Sequence, residues 1–570
     1  MAITKTPKQL NDIGDQYFYG KNKQKNIEMA FTYYKQAADL NNPVGYFNVG
    51  KYFIEKKQYK QAGEYLIKAK ELGFTKASIQ LSKLYLNGLG YRRNKKKAFK
   101  FLNQAVEEND ISAMHQLGIF YLKGIGCKKD EKLALKYFEL SSENKVAEGM
   151  RFLGSLYLDA KQIKRDYENG FFWLDKAAVA GDIEAINRLK KLYKESHPFL
   201  RKKSLLYLQE MEFYYDELLA KKDDVDALIR VGFTYYEGNQ FTKINYEKAN
   251  IYFAKLYDLD HTMGYLGLGL TKLFGRGIET NYEEAKNLLE IASTRGDIQA
   301  MNALGEIHRL GYGVTINYQR AKDYYFEAAK SDETNALINL GLLNYRKQIQ
   351  GSKNELAYQY MLTAADKGNA LAYYWLGIFY DKGVGTTADF KKAELFFKKA
   401  IEANNLGAGY KYAQMLFEHV QTTKLNRKKK NLIYEEIRKL LINYINSPHT
   451  SDVNSMYSMY TLGELYNLDN FDLKSNKISR YYFELAAEKK MTKAMVRMYF
   501  ILREKEPKVA VNLIQEAIKR PSDGEALYEM ANLLYEGHEL IEKNELKAKE
   551  FYGKAAALNY QPAKEKLAML

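Results

Sequence analysis

A small residue followed a few positions later by Leu-Gly returns along this chain at a nearly constant spacing, as in AMHQLG, AEGMRFLG, AMNALGE, ALINLG and AYYWLG. Gly14 to Gly50, Gly118 to Gly154, and Gly269 to Gly305 to Gly341 to Gly377 are each 36 residues apart. Weaker copies at Ser82, Lys190, Gly232, Ala413, Gly463, Tyr499, Ala531 and Ala568 complete fifteen intervals, most of 36 or 37 residues, two of 32, and two of 42 and 50. Self-similarity at such a period marks an array in which each unit buries its neighbour, and it argues against three or four separate globular domains. The expectation is one continuous array over residues 1–570.

Within an interval the apolar positions follow helical periodicity. ALGEIHRL and RAKDYYFEAAK each place small or bulky residues at i, i+3, i+4 and i+7. Each repeat is therefore expected to be a pair of short antiparallel helices, the first carrying the Ala and the Leu-Gly, the second a run such as KAELFFKKA or KLALKYFEL. Small residues let helix axes approach, and the aromatic pair is expected to fill the gap between neighbouring hairpins. Pro43 and Pro562 fall where one hairpin ends and the next helix begins, a position that tolerates proline. The predicted fold is all-α: an α/α solenoid of about fifteen 36-residue hairpins with a capping helix over 557–570.

AYYWLGIFYDKGVG…KKAELFFKKAIEANN from Ala372, AMHQLGIFYLKGIG from Ala113 and AMNALGEIHRLGYG from Ala300 resemble the Sel1-like repeat family, a relative of tetratricopeptide repeats. The family unit reads small-x-x-x-Leu-Gly-x-x-Tyr-x-x-Gly-x-Gly, a loop, then Lys-Ala-x-x-aromatic-aromatic-x-x-Ala-Ala. The resemblance covers nearly the whole chain and implies a right-handed superhelix and a role in protein–protein recognition, as scaffold or adaptor. The Gly-x-Gly turn is missing from the first two repeats, from 154 to 268, at Gly341 and from most of the chain after Ala413. Two divergent repeats, 190–232 and 413–463, carry the insertions KESHPFLRKKS and TTKLNRKKKN with NSPHTSD, which are expected to lengthen loops on one face.

Chemistry finds little purchase. Gly-x-Gly at Gly88/Gly90, Gly124/Gly126, Gly275/Gly277, Gly311/Gly313 and Gly383/Gly385 recurs between the two helices of a repeat, where a helix C-cap and a tight turn need positive φ, so these glycines read as turns and not as phosphate cradles. Gly267-x-Gly269 lacks both the third glycine and the preceding strand of a dinucleotide fingerprint. The seven histidines (115, 197, 261, 308, 419, 449, 538) show no metal-ligand spacing, and no metal or cofactor is expected. Cys127 precedes Lys128 and Lys129, which would lower its pKa were it exposed; a lone loop cysteine is ordinarily inert. Adjacent pairs such as Glu107/Glu108 and Glu283/Glu284 point apart on a helix and read as solvated faces. The chain is expected not to be an enzyme. It shows neither an apolar signal-like start nor an apolar run of membrane-spanning length, so a cytoplasmic location is expected.

Binding features remain. The 49 tyrosines exceed what the repeat core alone requires. Tyr373-Tyr374-Trp375 fills all three variable positions before a Leu-Gly, and three consecutive helical positions cannot all face inward, which makes this run the first candidate partner-binding site. Tyr235 and Tyr236, and Tyr17-Phe18-Tyr19, are weaker versions of it. Net charge is +17, and residues 1–100 alone hold 20 Lys/Arg against 7 Asp/Glu. Arg92, Arg93, Lys95, Lys96 and Lys97 are placed in the loop after Gly90, with lysines 51, 56, 57 and 60 one repeat earlier; stacked repeats would align them into a basic ridge. The leading expectation is a scaffold or adaptor for a partner protein. The alternatives are polyanion binding (nucleic acid or an anionic surface) through the basic repeats, and an inhibitor that neutralises its partner.

Overall fold

A computed structural model describes residues 5–20, 24–331, 333–447, 451–469, 471–520 and 523–570. Part of the NSPHTSD insertion, residues 448–450 with His449, lies outside the described residues. Among the described residues are thirty-one α-helices, one short 3-10 turn and no strand. Contacts group the chain into two compact units, residues 1–288 and 289–570, divided within the helix Tyr282–Thr294. In unit 1 seven hairpins run from Pro7–Tyr19 with Ile27–Asp39 to Val225–Glu237 with Tyr246–Asp258, followed by Thr262–Phe274. In unit 2 seven hairpins run from Ile298–Leu310 with Tyr318–Ala329 to Gly524–Glu536 with Glu545–Ala557. A single helix, Gln561–Met569, closes unit 2; Ala557 still belongs to the helix before it, so the cap is shorter than 557–570. We call the first helix of each hairpin A and the second B; each B helix packs on its own A helix and on the next.

Local chemistry sets the boundaries. B helices begin at Asn or Asp caps whose side-chain oxygens accept an N–H of the first turn, as Asn94 does from Lys97 (2.9 Å) and Asp389 from Lys392 (3.0 Å). A helices end on left-handed glycines such as Gly124 and Gly383. Pro43 and Pro562 stand in helical first turns, where no N–H is missed.

Two small residues per A helix make two different close approaches. The earlier one abuts the preceding hairpin: a Cβ on Gly45 would lie 2.5 Å from the backbone nitrogen of Ala38. The Leu-Gly glycine receives the second ring of its own hairpin's aromatic pair: a Cβ on Gly118 would lie 2.6 Å from Phe138, and one on Gly377 2.7 Å from Phe397. The second ring thus fills its own hairpin and also bridges to the next, Phe138 stacking on Phe152 at 5.4 Å and Phe397 on Tyr412 at 6.0 Å, as expected of a residue in the gap between hairpins. The first ring of the pair stacks on the Tyr three residues after the glycine, at 5.7 Å for Tyr121–Tyr137, 5.5 Å for Tyr380–Phe396 and 6.0 Å for Tyr466–Tyr482, with near-parallel planes. These stacked pairs give Tyr121, Tyr137, Tyr380, Tyr466 and Tyr482 a packing role within the repeat.

One insertion mostly builds helix and the other lengthens a loop, as expected of it. TTKLNRKKKN is absorbed by long helices, Leu406–Thr422 and Arg427–Ile445, because Asn426 caps a new first turn through Lys429 N–H (2.9 Å). KESHPFLRKKS forms the 3-10 turn Pro198–Leu200, pinned by buried Leu200 and by His197 against the rings of Tyr167 and Phe171.

Candidate functional site

In unit 2, three successive A helices, Thr334–Tyr345, Ala370–Lys382 and Leu406–Thr422, wall a groove of about 330 Å³. Tyr374 and Trp375 line it together with Tyr345, Ile378 and Met415, over a floor that includes Phe397. Both rings are half-buried and lie edge to face at 5.4 Å; Trp375 also meets Tyr345 at 5.8 Å. Neither the Tyr374 phenol nor the Trp375 Nε1–H has a hydrogen-bond partner among the described residues, and burial pushes the Tyr374 phenol above its ordinary pKa. The rim is charged: Lys382 pairs with Asp381 (3.1 Å) and with Glu418 (3.2 Å), while Lys411 donates to Gln414 (3.0 Å). Tyr373 turns the other way, against Phe396 and under Lys399. The candidate run thus divides into two groove residues and one packing residue.

Tyr235 and Tyr236 of unit 1 are buried, which corrects the expectation of an exposed pair. Tyr235 stacks on Tyr252 and donates to Glu217 Oε1 at 2.6 Å; Tyr236 lies under the Arg276 guanidinium, which donates to its hydroxyl. Both are repeat core, although the edge of Tyr235 reaches a cleft beside Phe213 and Phe241.

The basic residues divide too. Lys95, Lys96 and Lys97 are not in a loop; they are the first turn of the helix Lys95–Glu107, started by the Asn94 cap. Cations there oppose the helix dipole by about 0.3–1 kcal/mol each, so solvation has to offset the placement. Lys97 donates to the Tyr85 hydroxyl (2.8 Å) over its ring, and Arg93 donates to the Leu86 carbonyl (3.0 Å). Lys51 lies among Phe18, Tyr19 and Phe47, and Lys56 pairs with Glu28, so neither joins a ridge. Arg92, Lys95 and Lys96 are exposed with no ion-pair partner among the described residues. The stacking behind an edge does exist. A Cβ on Gly90 would lie 2.6 Å from Lys60 N, and one on Gly126 2.1 Å from the Lys95 carbonyl oxygen, so each Gly-x-Gly turn seats on the start of the preceding B helix. Lys60, Arg92, Lys95, Lys96 and Lys128 follow that edge.

Burial raises the pKa of Cys127, whose Sγ lies 3.5 Å from the Phe120 carbonyl oxygen. Among the described residues no group of three or more His, Cys, Asp or Glu is placed to hold a metal, and no helix is long and apolar enough to cross a membrane.

Twelve segments match the Sel1 repeat, at residues 10–42, 44–74, 75–110, 111–146, 147–182, 225–261, 262–297, 298–333, 334–369, 370–405, 457–491 and 524–560, which is well over half of the chain. The chain belongs to the Sel1 repeat family. Proteins of this family are generally non-catalytic and typically serve as protein-interaction scaffolds. An uncharacterized Sel1-like repeat-containing protein of Schizosaccharomyces pombe is 28% identical over 141 residues, which span 25% of this chain and 20% of the length of that relative. A protective antigen of uropathogenic Escherichia coli displaying an SLR fold is 19% identical, with 90% of this chain and 99% of that one covered at a TM-score of 0.46. A Sel1 repeat protein from Oxalobacter formigenes is 22% identical, with 62% and 90% covered at a TM-score of 0.29.

Three long internal stretches of this Sel1 repeat chain fall outside the matched segments: 183–224, 406–456 and 492–523. The groove of unit 2 borders the second of them through Lys411, Gln414, Met415 and Glu418, and the cleft of unit 1 borders the first through Phe213 and Tyr214. Sequence reasoning found Tyr374 and Trp375 but missed the rest of their groove. The 36-residue register carries the signal: Tyr345 and Asp381 are register equivalents, as are Ile378 and Gln414, and Lys382 and Glu418, so three repeat positions each recur along the wall.

Proposed function

We propose that this Sel1 repeat chain is a non-catalytic scaffold that holds a segment of a partner protein in the unit 2 groove, with Tyr374 and Trp375 as anchors. The observation that carries this reading is an adjacent pair of half-buried rings whose polar tips have no partner, in a groove walled by three consecutive A helices. Such rings combine large apolar area with a hydrogen-bonding tip, the character of interface hot spots. A photo-reactive amino acid in place of Trp375 should cross-link the partner in native lysate. Tyr374→Ala with Trp375→Ala should then weaken the isolated partner by about 2 kcal/mol or more, roughly thirtyfold, by calorimetry. Unchanged affinity in a variant of unchanged helix content and Tm would remove this groove as the site.

A second reading concerns the basic edge of unit 1, and the seating of Gly90 and Gly126 on neighbouring helix starts supports it. There a polyanion, nucleic acid first, is held by charge neutralisation. Affinity for a single-stranded oligonucleotide should then fall steeply with salt, with a log–log slope of roughly −0.7 per phosphate contacted. Arg92→Glu, Lys95→Glu and Lys96→Glu together should flatten that slope and weaken binding about tenfold at low salt. A slope that survives the triple reversal shows the edge to be solvated surface. Lys97 is left in place because it packs on Tyr85.

A further inference from the structure

In unit 1 the divergent B helix Leu205–Ala220 and the A helix Val225–Glu237 enclose two connected concavities, about 690 and 420 Å³, on either side of a Phe213–Phe241 contact with ring centroids 5.8 Å apart. Phe241 is held there by its turn. Asn239 N–H donates to the Thr242 carbonyl (2.8 Å), and the Asn239 side-chain oxygen accepts from Phe241 N–H (3.1 Å) and Thr242 N–H (2.8 Å). The walls are acidic. Asp216 is neutralised by Lys190 and Arg230, and Glu217 accepts the Tyr235 hydroxyl, but Glu210, Glu212 and Glu237 have no ion-pair partner among the described residues. Partial burial drives the Glu212 carboxyl above its ordinary range, against the pull of Lys190 and Lys194. Arg230 and Lys243 also line the two concavities, two cations against five carboxylates, so the walls remain net acidic on a chain of net charge +17.

A second absence coincides with the first. Other rings of unit 1 are covered by a cation of the chain: Lys97 over Tyr85, Arg276 over Tyr236 and, at the edge of this cleft, Lys248 over Tyr235. Phe213 and Phe241 carry no such cation among the described residues. The two phenyl faces and the unpaired Glu212 and Glu237 beside them are complementary to a positive charge on a flat or slender stem.

We propose that the Phe213–Phe241 cleft is a docking site for an arginine or lysine side chain on a partner protein's segment, the cation reaching Glu212 and Glu237 in the larger concavity while its stem lies on the two phenyl rings. This proposal shares the premise that the chain binds protein segments, but it concerns a different unit and different residues, so it stands or falls apart from the Tyr374–Trp375 groove. The test is selection of random dodecapeptides displayed on phage against the full chain, with counter-selection on the Glu212→Gln, Glu237→Gln variant, whose substitutions preserve shape. Peptides retained by the parent alone should carry a basic residue flanked by apolar ones. The best of them should lose affinity about tenfold or more in the variant, and again when citrulline replaces its arginine. Hydrogen exchange should slow across 209–241 on binding. Peptides without a common basic residue, equal affinity for parent and variant, or equal loss on Tyr374→Ala with Trp375→Ala would each overturn the assignment. So would concentration-dependent self-association abolished by the two Gln substitutions, because the occupant would then be the basic edge of a second copy.

Discussion

Phe138→Ala should destabilise unit 1 by about 3–5 kcal/mol in urea unfolding, the range for deleting a fully buried aromatic ring. Phe138 has no exposed surface, stacks on Phe152 at 5.4 Å and fills the hollow over Gly118 where any Cβ would stand 2.6 Å from the ring. The hollow cannot collapse easily, because its floor is backbone. The complementary change, Gly118→Ala, forces one extra carbon against the same ring and should cost about 1–3 kcal/mol. Combining Gly118→Ala with Phe138→Leu should cost less than the sum of the two single changes, because the smaller side chain vacates the space that the new methyl enters. Strict additivity would show that the glycine and the ring do not form one packing unit. Since each hairpin leans on its neighbours only, Phe138→Ala should also broaden the transition of unit 1, and a sharp single transition at reduced midpoint would argue against nearest-neighbour coupling.

The hairpins were legible because their signal is local and repeated. Spacing fixes which residues share a helix face, and caps such as Asn94 and Gly124 lie within a few positions of the bonds they make. What a face packs against is not local. The second ring of each aromatic pair was visible as apolar, but that it meets both its own hairpin, over Gly118, and the next, on Phe152, depends on helix rotation. The same limit explains Tyr235 and Tyr236, which resemble Tyr374 and Trp375 in composition yet are buried, since Tyr252 from the next helix and Arg276 from a later turn cover them. Loops judged by length misled for a different reason: a polar run such as NRKKKN extends a helix once Asn426 caps it and apolar residues follow at helical spacing. The Phe213–Phe241 cleft had no sequence mark, because its walls come from two helices and the turn after the second, which no motif links.

Glu131→Ala should cost about 3 kcal/mol, more than any exposed carboxylate of the chain, because it leaves two backbone donors without an acceptor. Where a hairpin has Gly-x-Gly, its turn seats directly on the start of the preceding B helix, as Gly126 does on Lys95 and Gly385 on Asn354. The turn from Ala160 to Asp166 has no glycine, and the first residue of the preceding B helix, Glu131, takes over: its Oε2 accepts Lys161 N–H (3.0 Å) and Gln162 N–H (2.6 Å), and Lys129 pairs with it at 3.2 Å. Burial works against the charge, and those two N–H groups and Lys129 outweigh it, holding the carboxyl below its ordinary value of 4.5. A carboxylate whose pKa is depressed on folding stabilises fully above its unfolded value and loses that contribution as pH falls through its folded one. Thermal unfolding of the parent should therefore show a component of acid destabilisation that sets in below about pH 4.5 and is absent from Glu131→Gln. Glutamine keeps one acceptor oxygen, so at neutral pH its loss should be smaller than that of alanine. Equal losses for the two variants would mean that side-chain packing at this position matters and the bridge to the glycine-free turn does not.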